Sequence, residues 1–129
     1  MAIMPDDLKY GRNHSWIRVE GKSATVGVTP HALKNLGSLV TVELPDPGDD
    51  VLHEVPVAEI EGTRQVHAVY SLLDGLVTEI NGKVAHNPDI IAKDPFGEGW
   101  LVQLKIGPES KEAETLTGDG YKALLRQKK

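Results

Sequence analysis

The sequence predicts a mainly β fold: an all-β sandwich or barrel with short helices packed outside. Three observations carry this. Short runs alternating apolar and polar residues recur through the first two-thirds of the chain. Turns containing glycine or proline separate them at short intervals. The chain has 129 residues and is 40% hydrophobic, which suits one domain, 1–129, around one core.

The elements follow in order. Trp16-Ile17-Arg18-Val19-Glu20 alternates, Gly21-Lys22 turns, and Ser23 to Val28 resumes, which reads as a β-hairpin. Thr29 is placed as an N-cap with Pro30 at the first helical position. Ala32, Leu33 and Leu36 give that helix a short apolar face, and Gly37 ends it. Leu39 to Leu44 is a strand, and Pro45 to Asp50 is a turn-rich break. Glu54–Gly62, Gln65–Ser71 and Gly75–Asn81 are further strands, with Thr63 and Arg64 at the tip between the first two. Val40 to Leu44 and Val77 to Asn81 echo one another, as two related halves of a sandwich would. Ile90-Ile91-Ala92 forms a short helix after Asn87-Pro88-Asp89, and Asp94 to Gly99 is a loop. Trp100 to Ile106 closes the sheet, with Trp100, Val102, Leu104 and Ile106 on one buried face. Glu112–Leu116 and Tyr121–Leu125 are short helices, and 126–129 is a solvated tail.

Composition excludes several chemistries. The formal net charge of −5 argues against nucleic acid or an anionic membrane as the main partner. There is no cysteine, which removes disulfides, thiolate catalysis and thiolate-held metals. No apolar run approaches the roughly 20 residues of a membrane span. Met1 to Tyr10 carries Asp6 and Asp7 and lacks a basic region followed by an apolar stretch, so no signal peptide is expected. A cytoplasmic protein is the expectation, or a mitochondrial-matrix one if the chain is a processed organellar protein. His14, His31, His53, His67 and His86 show no close chelating spacing, so no metal site is expected. Asp46, Asp49 and Asp50 lack the spacing of a calcium loop. No phosphate-binding loop or nucleophile elbow occurs.

Several stretches together resemble the H protein of the glycine cleavage system, a lipoyl-domain family. They are His14 to Val19; Ala24 to Thr29; Leu36-Gly37 with Val42-Glu43-Leu44-Pro45; Val69-Tyr70-Ser71 with Asp74-Gly75; Glu79-Ile80-Asn81; Asn87-Pro88; and Asp94 to Leu101. The resemblance implies a barrel-sandwich hybrid (lipoyl-domain-like) fold and a carrier with no catalysis of its own. It also implies lipoate on a lysine and passage of an aminomethyl group among glycine decarboxylase, aminomethyltransferase and lipoamide dehydrogenase.

The carrier motif departs from this resemblance. The family's motif typically reads Glu-Ser-Val-Lys-Ala, followed closely by Ser-Asp-Val-Tyr-Ser. This chain reads Glu61-Gly62-Thr63-Arg64-Gln65-Val66-His67-Ala68-Val69-Tyr70-Ser71. Lipoylation needs a neutral primary amine. A guanidinium stays protonated, with a pKa above about 12, and its lone pairs are delocalised. Arg64 therefore takes no lipoate. It is either a solvated turn residue or a fork of donors for a carboxylate or phosphate. Where the family commonly has His-Glu-Trp, this chain has His14-Ser15-Trp16, and the acidic residue before Val69 is Ala68. Two carboxylates that would hold an aminomethyl ammonium are absent.

The expected binding patch is Glu61, Arg64, His67, His14 and Ser15. The expected role is a non-lipoylated docking or regulatory protein for glycine-cleavage or lipoate-attaching enzymes. One alternative is a working carrier, with Arg64 an engineered change or with another lysine modified, Lys83 being the candidate. That carrier could also serve another lipoate-dependent pathway. A further alternative is an enzyme using Glu61, Arg64 and His67.

Overall fold

The computed structural model describes residues 8–108, 110–112 and 115–127, residue 127 by its backbone alone. The strands are β1 (Lys9–Tyr10), β2 (Ser15–Glu20), β3 (Ser23–Val28), β4 (Leu39–Glu43), β5 (Asp50–Val51), β6 (Pro56–Gly62), β7 (Val66–Tyr70), β8 (Gly75–Ile80) and β9 (Val102–Lys105). Three α-helices, α1 (Gly82–His86), α2 (Asp89–Lys93) and α3 (Gly118–Gln127), and one 3-10 turn, Pro30–Leu33, complete the described elements. The strands form a six-stranded sheet in the order β1-β2-β3-β9-β8-β5 and a three-stranded sheet in the order β4-β6-β7. Every strand pair is antiparallel. The two echoing stretches, β4 and β8, lie in different sheets.

An aliphatic core joins the sheets. It takes Ile17, Val26, Val77 and Leu104 from the larger sheet and Ile60 and Val69 from the smaller. Burial of such side chains is worth about 1.5–3 kcal/mol each and is the main force holding the layers together. The first half of strand β2, Ser15 to Ile17, is buried on both faces. Ile17 enters the aliphatic core, while its neighbour Trp16 enters a second, aromatic cluster with Leu8, Tyr10 and Tyr121. Tyr10 stacks on Tyr121 with ring centroids 5.0 Å apart, which seats α3 against the sheet.

Several local expectations change. Thr29 makes no side-chain cap, and the helix after it is a single 3-10 turn, Pro30–Leu33. Its hydroxyl instead meets the Tyr121 hydroxyl at 2.6 Å, because a buried oxygen must find a partner. The closing strand is shorter than expected. Leu101 and not Trp100 is fully buried, and Trp100 packs half-buried on the aromatic cluster. The cause is Asn81, whose side-chain amide donates to the Glu98 and Trp100 carbonyls at 2.8 and 2.7 Å. Asn81 also accepts from the Lys83 amide and so caps α1, a helix the sequence reading did not anticipate. Glu112 and Leu116 form isolated bridges with Leu73 and Tyr10 in place of the expected helix, whose residues 113 and 114 lie outside the described set. Helix α3 begins at Gly118, earlier than Tyr121. It runs into the stretch expected as a tail, of which 128 and 129 are also outside the described set.

Candidate functional site

The connection between β6 and β7 is the two-residue tip Thr63-Arg64, closed by a 2.9 Å bond from the Gly62 amide to the Gln65 carbonyl. Neither tip residue takes positive φ. The turns that suit hairpin twist need it, so this tip depends on outside support. That support is the segment after the 3-10 turn. The Arg64 amide donates to the Leu36 carbonyl at 2.8 Å, and the Thr63 amide to the Ser38 carbonyl at 2.9 Å. The Ser38 amide returns a bond to Thr63 Oγ1 at 3.2 Å. Gly62 permits this closeness: a Cβ there would overlap the Leu36 carbonyl oxygen. The backbone of the tip is therefore fixed, while the Arg64 side chain is exposed and makes no hydrogen bond or ion pair among the described residues. Glu61 is exposed and accepts a 3.1 Å bond from the Thr41 hydroxyl across the β4–β6 pair.

His67 pairs with Ile60 on the inward side of the hairpin. It lines a cleft of about 170 Å³ with His14, His31, Asn35 and Gln65, above apolar walls that include Ala32 and Leu36. Among the described residues no carboxylate lines this cleft. The rings of His14 and His31 lie 4.4 Å apart. His14, at φ +68, shares a 2.7 Å hydrogen bond through Nδ1 with the Tyr121 hydroxyl. Burial pushes the Tyr121 phenol up to about 12, against the opposing effect of the Thr29 hydrogen bond. Burial likewise lowers the His67 imidazole below its ordinary value, although the Asn13 backbone works the other way. His67 Nε2 is buried and makes no hydrogen bond among the described residues.

The expected patch thus divides. The structure brings His14 and His67 into one cleft, while Arg64 and Glu61 lie outside its lining. Ser15 is 0% exposed, so it offers no surface to a partner. Its place on β2, flanked by buried neighbours, accounts for that. Sequence reasoning placed His14 and His67 in the patch but missed His31, Asn35 and Tyr121. Only the folding of distant segments onto one another brings them together. Lys83 sits in the first turn of α1, its ammonium 3.6 Å from the Glu98 carboxylate, and not at a hairpin tip. Among the described residues no group of three or more His, Asp or Glu side chains is placed to hold a metal ion. Among those residues, too, no helix is long and apolar enough to cross a membrane.

Comparison with known proteins matches residues 8–128 to the family model described as "Glycine cleavage H-protein". A glycine cleavage system H protein of Rubrobacter xylanophilus is 41% identical over 127 residues, covering 98% of each chain. One from Carboxydothermus hydrogenoformans is 35% identical over the same share of each chain. The crystal structure of a glycine cleavage system H protein from Mycobacterium marinum superposes with a TM-score of 0.87 at 31% identity, covering 95% of this chain and 98% of that one.

Proposed function

The chain belongs to the glycine cleavage H-protein family, whose members are lipoyl carriers and not catalysts, and from that premise we propose that this member carries no lipoyl group. In this reading it is a docking or regulatory protein for glycine decarboxylase, aminomethyltransferase, lipoamide dehydrogenase or the lipoate-attaching enzymes. It is one domain over 1–129 and works in the cytoplasm. The observation that carries the reading is Arg64: an exposed guanidinium on a fixed hairpin tip, where the family resemblance calls for a lysine. Its charge and reach suit the surface a lysine-bearing tip presents, yet it cannot form the amide.

Two further features support the reading. Among the described residues the cleft beside the tip is lined by imidazoles and amides with no carboxylate, so an aminomethyl ammonium would find neutral acceptors there and no ion-pair partner. Gly62 stands where the family commonly has serine, and it lets the tip press onto Leu36 closer than any side chain allows. Modification of Lys83 in place of Arg64 finds no support, because that lysine begins a capped helix.

The test is the intact mass of the protein expressed beside a competent lipoylation system. The expected result is an unmodified mass for the natural chain, with a gain of one lipoyl group in Arg64→Lys as the restoration control. A lipoyl-sized gain on the natural chain, mapped to any lysine, overturns the proposal.

A further inference from the structure

Residues 35–63 hold seven carboxylates (Glu43, Asp46, Asp49, Asp50, Glu54, Glu59 and Glu61) and no lysine or arginine. None of the seven is in an ion pair among the described residues, where the pairs are Lys9–Glu112, His53–Asp74 and Lys83–Glu98. The fold gathers most of this charge around one apolar depression. Two adjoining hollows of about 220 and 230 Å³ share Pro45, Pro56 and Val57, and so form one trough between the β4–β5 connection and the start of β6. Leu52 and Val55, at 59% and 46% exposure, both line it and so place two exposed aliphatic side chains together on one apolar surface.

The rim is stated in the strand register. Glu43 of β4 and Glu59 of β6 are direct cross-strand partners. Like charges in that relation oppose pairing, and neither carboxylate is in an ion pair among the described residues. At the far end Asp49 and Asp50 are adjacent and exposed. An apolar floor with uncompensated carboxylates at both ends has one complement: apolar side chains flanked by cations.

We propose that this trough docks a protein segment presenting leucine-like side chains between lysines or arginines. The proposal is independent of whether Arg64 excludes lipoate, since the trough shares no residue with the histidine cleft. The charge also selects among occupants. Nucleic acid and anionic lipid would meet carboxylates, and a two-fold contact with a second copy would set Glu43 and Glu59 against themselves.

The test is an NMR titration of the 15N-labelled full chain with a synthetic peptide alternating lysine and leucine. The control is a peptide of equal charge with glycine for each leucine. The expected result is that the lysine–leucine peptide shifts the amides of Val51, Leu52, Val55 and Val57. It should bind about fivefold more weakly to the Glu43→Gln/Glu59→Gln double variant. Added salt should weaken binding to the natural chain more than to the variant. That variant should fold with a thermal midpoint at or above the natural one, because the opposed charges are gone. Leu52→Ser should weaken binding without changing the charge. Equal binding of the lysine–glycine peptide overturns the proposal, as it would show charge attraction alone. Shifts spread equally over Glu20, Glu98 and Glu112, or affinity unchanged in the double variant, overturn it as well.

Discussion

Two hairpin tips of this protein, each two residues long, are held by opposite means. Between β2 and β3, Gly21 takes φ +60, the pattern of a turn whose twist already matches the strands it joins. A side chain on Gly21 would meet nothing within 4 Å. That turn is a connector, specified by its own residues. Between β6 and β7, Thr63 and Arg64 keep ordinary φ, and the tip is held by three hydrogen bonds to Leu36 and Ser38. A tip that merely connects needs no such clamp. Here the clamp fixes the backbone, the stem of Arg64 lies beside Gly37 of the clamping segment, and the side chain as a whole stays exposed, which is what a presented group requires.

Glycine-to-alanine changes separate the two tips most sharply. Gly62→Ala should cost about 2–4 kcal/mol, because its Cβ overlaps the Leu36 carbonyl and the tip must lift off its support. The denaturant midpoint should fall, and the Thr63 and Arg64 amides should lose protection from hydrogen exchange. Unchanged protection at those amides would show that the tip does not depend on the clamp.

Gly21→Ala should cost about 1 kcal/mol, from the positive φ alone, with exchange elsewhere in the protein unaltered. Thr63→Ala removes the acceptor for the Ser38 amide and should cost about 0.5–1 kcal/mol. Its effect on exchange should be confined to residues 36–38 and 63–64.

A pH dependence should mark the clamped hairpin. Burial holds the His67 pKa below its ordinary 6.5, so the folded state binds this proton less readily than the unfolded chain. The stability linked to neutral His67 is fully present above the unfolded-state value of 6.5 and is lost as pH falls below it, through the lower folded-state pKa. His67→Gln should flatten the difference between stability curves measured from pH 7.5 to 5, and an unchanged slope would remove His67 as its source. The smallest effect belongs to Arg64→Ala, expected within about 0.5 kcal/mol of the natural chain because the side chain is exposed and unpaired. A larger loss in thermal stability would make Arg64 structural and not a presented group.

The sequence was legible wherever short-range chemistry decides. The Gly21-Lys22 turn fixed the β2–β3 pairing in advance, and period-two alternation located β4, β6, β7 and β8 within a few residues. The Arg64 substitution, too, is a fact of sequence, since no fold gives a guanidinium the chemistry of an amine. Strands β1 and β5 escaped notice because two residues carry no periodicity. Helix α1 did have a signal, Asn81 before Gly82, but five residues are too few for an apolar stripe to emerge. Trp100 read as a strand residue because its neighbours alternate, and the Asn81 clamp on its carbonyl acts from a distant segment.

The candidate site was less legible still. Composition alone established an acidic, cysteine-free, turn-rich β chain, and the motifs established its family resemblance and its altered carrier position. Tertiary structure decided that His14, His31 and His67 share a cleft, that Ser15 is sealed inside, and that Glu43 and Glu59 flank an apolar trough. The division has a physical reason. Turn type, strand period and side-chain chemistry depend on residues a few positions apart. Convergence depends on which faces of separate strands are buried together, and that is settled only when the two sheets close over one core.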